Sequence, residues 1–184
     1  MSKEDPEMTA QDVIAFVRLL QHHGIRVFID GGWAVEALVA TDAGVFQPSR
    51  RHADLDIAVQ ISDAARIREL LAGRGYREVP RNDSWECNFV LGDEQGHQID
   101  VHSFSFDEDG KFIRGVPYPR ESLSGHGSIA GFPVECIAPD WLVRFHSGYE
   151  VDENDYRDVR ALCRRFGIAL PEEYREFQTK DGED

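Results

Sequence analysis

The sequence contains no uninterrupted apolar run approaching the roughly 18 residues that a membrane-spanning helix needs, so no membrane partner is expected. Its opening stretch, MSKEDPEMTA, has neither a basic n-region nor an apolar h-region, so no secretory leader is expected. Cysteine is scarce. Cys87, Cys136 and Cys163 are odd in number, far apart and without a CxxC pair, which argues against a disulfide framework and against zinc. Reduced thiols in a cytoplasm are the expectation. Basic residues are also few: 20 Lys and Arg stand against 34 Asp and Glu, a net charge of −14. Nucleic-acid affinity rests on cations that neutralise phosphates, so this balance speaks against a DNA or RNA partner. It suits a soluble acidic surface, a cationic small molecule, or carboxylates that hold a metal.

What is present is enough for a real core. The chain has 184 residues, of which 41% are hydrophobic, fitting one domain or a small domain with a helical appendage. Thr9 reads as the N-cap of a helix carrying Val13, Phe16, Val17 and Leu20, with Gly24 as its stop. IRVFI (25–29) reads as a strand, DGGW (30–33) as a tight turn, and 34–40 as a short apolar helix, followed by a loop over 41–49. ADLDIAV (53–59) is a second strand, after which Ser62 can cap a helix bearing Ile67, Leu70 and Leu71. Segments 86–91 and 97–104 form a predicted hairpin about the turn GDEQG; DEDG (107–110) is another turn, and 133–137 a short strand. From Pro139 onward the pattern is helical. The expected class is α+β: a mixed sheet flanked by helices over 1–137, with a helical extension over 138–184 packed on it.

Two strands carry chemistry on an otherwise ordinary core pattern. In a strand, residues two apart share a face, so Asp54 and Asp56 point one way and Leu55, Ile57 and Val59 the other. Asp100 and His102 repeat the arrangement in QIDVH. If these strands are neighbours, three carboxylates converge. Two unit charges about 4 Å apart repel by roughly 4 kcal/mol at an effective dielectric near 20, so a proton or a cation must sit among them. Oxygen ligands that leave positions open for phosphate and water suit Mg²⁺.

Gly31–Gly32 frees backbone N–H groups, unblocked by Cβ atoms, for a phosphate. Arg50 and Arg51, just ahead of the acidic strand, can reach phosphate oxygens. Taken singly, each feature has a bland counterpart: a solvated acidic edge, a plain turn, a solvated arginine pair. Taken together they are the set that metal-assisted nucleotidyl transfer needs. His102 is a candidate acid–base partner or substrate contact, against a hydrogen-bonded structural role. His146 and Tyr149 in HSGY are candidates to line an acceptor pocket, against simple packing. Glu36 is a candidate substrate contact, against a solvated surface acid, and Trp141 is expected in the core.

GGWAVEAL, the run Arg50, His52, Asp54, Asp56, and then IDVH resemble the small antibiotic nucleotidyltransferases of the polymerase-beta-like superfamily. SFDEDGKF and RFHSGYEVDENDYRDVRAL resemble the downstream segments of lincosamide nucleotidyltransferases; the aminoglycoside 2″-nucleotidyltransferases are similar at GGW and the acidic strand. The resemblance covers nearly the whole chain. It implies transfer of a nucleoside monophosphate, AMP from ATP, to a hydroxyl of a small antibiotic with release of pyrophosphate. Asp54 and Asp56 match metal aspartates, and Asp100 a third carboxylate that completes the metal site or takes the hydroxyl proton. Gly31 and Gly32 match the phosphate-binding turn, and Arg50 and His52 the basic approach. Some relatives dimerise, so a homodimer is among the implied arrangements. Two departures stand out: the loop before Arg50 is longer here, and Trp33 stands where the wider superfamily has Ser, as in the antibiotic branch. The competing readings are a protein- or tRNA-modifying nucleotidyltransferase of the toxin–antitoxin type and a non-catalytic nucleotide-binding module.

Overall fold

The computed structural model describes residues 7–40 and 45–181. The first part of the expected 41–49 loop therefore lies outside the described residues. Helix α1 (Ala10–His22) opens on a capping box: the Thr9 side chain accepts from the Asp12 N–H while the Asp12 carboxylate accepts from the Thr9 N–H. Val13, Phe16, Val17 and Leu20 are buried, as their spacing predicts. Strand β1 (Val27–Ile29) is shorter than the expected 25–29 and buried throughout. Helix α2 (Gly31–Val39) begins earlier than the sequence suggested. Asp30 accepts the Gly31 N–H and acts as N-cap, so Gly31, Gly32 and Trp33 form the helix's own first turn rather than a turn ahead of it.

Strand β2 (Asp54–Gln60) runs straight into α3 (Ile61–Ala72). Gln60 therefore stands at the N-cap without a side-chain bond, and Ser62, the expected cap, falls inside the first turn. Strands β3 (Arg77–Val79), β4 (Asn88–Gly92), β5 (Gln98–Phe106) and β6 (Phe112–Gly115) follow, then β7 (Gly125–Ile129) and β8 (Phe132–Cys136). The predicted hairpin is β4–β5 and the predicted late strand is β8. Three strands were not expected. β3 and β6 span only three and four residues, and β7 reads GHGSI, too glycine-rich for a propensity signal.

The sheet order is β3-β4-β5-β2-β1-β8-β7, with β6 extending the ladder on β5. β1 is antiparallel to β2, while β2 runs parallel to β5 over seven residue pairs. That register sets Asp56 opposite Asp100. Helix α2 packs on β2, β7 and β8, and α3 on β2 and β5. Helices α4 (Pro139–Phe145), α5 (Glu153–Phe166) and α6 (Arg175–Asp181) complete the chain. Asp152 caps α5 through a second capping box, and Gly167, in the left-handed region at φ 70°, ends it.

α2 contacts both α4 and α5, and Tyr156, Val159, Leu162 and Tyr174 belong to the same apolar cluster as the sheet. Trp141 is only partly buried, at the edge of that core, with the Arg144 guanidinium 4.5 Å above its ring. Among the described residues no helix is long and apolar enough to cross a membrane.

Candidate active site

The cleft forms where the carboxyl ends of β1 and β8 meet the facing ends of β2 and β5. Asp30 directly follows β1, and its peptide N–H donates to the Asp56 carbonyl at 2.9 Å, tying the start of α2 to the acidic strand. Gly31 has φ 56°, and a Cβ placed there would run into the Asp56 carboxylate. A Cβ on Gly32 would strike the Arg50 guanidinium and come within 2.7 Å of the His52 ring. Both glycines are thus required by close approach, and Gly31 by its backbone angle as well. They let three side chains crowd the first turn of a helix whose N–H groups face the cleft.

Asp56, Asp100 and His102 present ligand atoms that all lie within 4.8 Å of one another. Asp54, one pleat earlier on β2, is exposed and outside this tight group. Burial pushes the Asp56 carboxyl up to about 8, with the charges of Asp54 and Asp30 adding to the effect. Asp100 is raised too, by burial and then by Asp54 and Asp83 against the pull of His102. Burial disfavours the His102 cation. Asp30, Asp100 and Asp56 outweigh that and lift the imidazole to about 9.

One oxygen of Asp100 is buried without a hydrogen-bond partner among the described residues; the His102 Nε2 lies 3.4 Å from it but is not aligned to bond. An orphaned carboxylate oxygen beside a second carboxylate that ionises only reluctantly is the state expected of ligands to a hard divalent cation. The residues fit such an ion through their oxygens.

The structure brings most of the expected residues together and sorts them. A cleft of about 550 Å³ is lined by Asp30, Gly31, Gly32, Arg50, Asp56 and His102. Val116, Pro117, Tyr118, Phe145, His146 and Tyr149 complete its lining. The His146 Nδ1 donates to the Leu142 carbonyl at 2.8 Å, and the Tyr149 hydroxyl donates to Asp155 at 2.8 Å. His52 and Glu36 are buried behind the cleft. Their side chains are 3.0 Å apart, and Glu36 also accepts from the Ser49 N–H and hydroxyl at 2.8 and 2.7 Å. Glu36 is thus not the solvated surface acid that was one of its two expected readings; it braces the segment entering β2 and is 4% exposed.

Three residues at the site had not been singled out from the sequence. Asp30 sits directly before the glycine pair, a position that could have drawn notice. Tyr118, in the irregular VPYP segment, offers no periodic signal. Asp158 on α5 does, because it falls on the apolar stripe four residues before Leu162 and is 2% exposed. Both of its oxygens meet Arg50, from Nη2 at 2.8 Å and from Nε at 3.3 Å.

A mixed sheet with in-register acids from two parallel strands, facing a glycine-rich helix start, defines a nucleotidyltransferase site. The chain belongs to the aminoglycoside-2″-adenylyltransferase family, which it matches over residues 12–162, and is a nucleotidyltransferase. It is 24% identical over 161 residues to a lincosamide resistance protein of Staphylococcus haemolyticus, covering 84% of this chain and 94% of that one. Two solved structures share the fold. The lincomycin-bound lincosamide antibiotic adenylyltransferase LnuA matches with a TM-score of 0.72 at 21% identity, over 89% of this chain and 99% of its own. ANT(2″)-Ia in complex with adenylyl-2″-tobramycin matches at 0.69 and 15% identity, over 94% and 98%.

Proposed function

We propose that this protein transfers AMP from ATP, with Mg²⁺, to a hydroxyl of a lincosamide antibiotic and releases pyrophosphate. The observation that carries the reading is the in-register pair Asp56 and Asp100, of which Asp56 lines the cleft beside Gly31 and Gly32. In the reaction the acceptor oxygen bonds to the α-phosphorus, the bond from that phosphorus to the bridging oxygen breaks, and pyrophosphate leaves with the electron pair. Asp54, Asp56 and Asp100 would hold Mg²⁺, which when bound neutralises charge on the triphosphate. The α2 N–H groups and Arg50 receive phosphate oxygens. Asp100 comes from a different strand than Asp54 and Asp56 and would accept the hydroxyl proton, help worth roughly 10²–10⁴ in rate.

The acceptor class is read from the apolar part of the cleft lining. Val116, Pro117, Tyr118 and Phe145 make it apolar and aromatic, while the acids gather at the reacting end. Such a lining suits an amphipathic drug with one amine better than a polycationic aminosugar. ATP as donor fits the cytoplasmic location expected from the free thiols.

Mass spectrometry of lincosamides and aminoglycosides incubated with ATP, Mg²⁺ and the protein tests this. A mass gain of one AMP on the lincosamides is expected. Products from aminoglycosides alone would reverse the acceptor, and no product from either would overturn the reading. Asp100→Asn is expected to lose at least about a hundredfold in turnover.

A further inference from the structure

Behind His102 runs a chain of hydrogen bonds to which the reaction as written above assigns no role. Asp30 is 8% exposed and Tyr118 4%. The Tyr118 hydroxyl lies 2.5 Å from the Asp30 Oδ2 and 3.1 Å from the His102 Nδ1. The other Asp30 oxygen accepts the Gly31 N–H at 2.8 Å. A phenol has one hydrogen, and an ionised carboxylate can only accept, so that hydrogen goes to Asp30. The phenol oxygen is left to accept, and its remaining neighbour is Nδ1, which must then carry a hydrogen. With Nδ1 committed, Nε2 is the nitrogen turned toward Asp100, 3.4 Å from its Oδ1.

We infer that Asp30 and Tyr118 are positioning residues that anchor the His102 Nδ1–H and so aim Nε2 at the carboxylate cluster. The same Asp30 caps the helix that receives the triphosphate, so one buried carboxylate ties the phosphate turn to the orientation of the imidazole. Rotation of the ring about χ2 would swap carbon for nitrogen at the reacting end, and the Tyr118 bond opposes it. The consequence for turnover rests on the proposed nucleotidyl transfer; the ring orientation does not.

Tyr118→Phe removes one oxygen and keeps the ring against Phe104 and Phe145, whose centroids lie 5.8 and 5.7 Å away. In full-length protein with ¹⁵N-labelled histidine, the His102 Nδ1 proton is expected as a solvent-protected downfield resonance, assigned by its absence in His102→Gln. Tyr118→Phe should abolish that resonance without substrates present. In turnover, Tyr118→Phe should lower kcat by roughly 10²-fold, with KM for ATP and drug changed less than about twofold. Added to His102→Ala, it should cost nothing further, since it acts through that ring.

Persistence of the resonance in Tyr118→Phe would overturn the inference. So would an additive loss in the double variant, or a loss carried by KM, because either means Tyr118 works by touching the drug. Loss of the resonance in a protein that modifies no drug would support the positioning while refuting the proposed reaction.

Discussion

The pair Arg50–Asp158 allows a prediction in which the two partners are unequal. The Arg50 side chain is 22% exposed and that of Asp158 3%. Removing Arg50 strands a carboxylate in the interior beside Val159 and Leu162, far from water. Breaking a buried pair in this way typically costs about 3–5 kcal/mol. Removing Asp158 leaves a guanidinium that still reaches the cleft and its solvent and keeps its 3.3 Å bond to the Arg51 carbonyl. A loss of about 1–2 kcal/mol is expected there.

At roughly 2–4 °C per kcal/mol for a chain of this length, Arg50→Ala should lower Tm by about 6–20 °C. Asp158→Ala should lower it by about 2–8 °C. The double variant should be more stable than Arg50→Ala alone, because it no longer buries an unpaired charge. Urea unfolding followed by circular dichroism measures all three. Equal costs, a larger cost for Asp158→Ala, or simple additivity would refute the assignment of Arg50 as the charge that neutralises Asp158. Both variants should also weaken ATP binding by calorimetry, since Asp158 fixes the guanidinium beside Gly32.

Asp56→Asn should abolish turnover and Mg²⁺-dependent nucleotide binding together, because it removes an anionic ligand from a hard cation; activity near wild type would defeat the metal assignment. Gly31→Ala adds left-handed backbone strain of about 1–2 kcal/mol and a methyl directed at the Asp56 carboxylate, so turnover should collapse. Gly24→Ala, at φ 69° with open space around it, should show the stability loss alone, and comparable activity in the two would remove the close-approach argument. Burial opposes ionisation of Glu36, but hydrogen bonds from His52 and Ser49 hold its carboxyl below the ordinary value of 4.5. The unfolded chain therefore binds the proton more tightly, and Glu36 stabilises the fold above pH about 4.5 and loses that contribution as pH falls further. Glu36→Gln should flatten the acid limb of the stability–pH profile, and an unchanged limb would assign it to other groups.

The sequence by itself determined the parts whose cause is local or periodic. The capping box at Thr9, the apolar stripe of α1, the β4–β5 hairpin and the left-handed stop at Gly167 each follow from a few consecutive residues. The alternation in β2 and β5 likewise placed Asp54 with Asp56, and Asp100 with His102, on single faces before any pairing was known. Tertiary structure decided what those faces meet. Only the parallel register sets Asp56 against Asp100, and only burial in the assembled fold, with Asp54 and Asp30 close by, lifts the Asp56 carboxyl to about 8. Only packing of α5 on α2 delivers Asp158 to Arg50, across 108 residues of sequence. Tyr118 reaches Asp30 across 88 residues from a segment with no regular pattern, and β3, β6 and β7 are too short or too glycine-rich to announce themselves. Local preference acts between neighbours in the chain, whereas burial, charge coupling and hydrogen-bond partnership act between neighbours in space, and those neighbours are supplied by the fold.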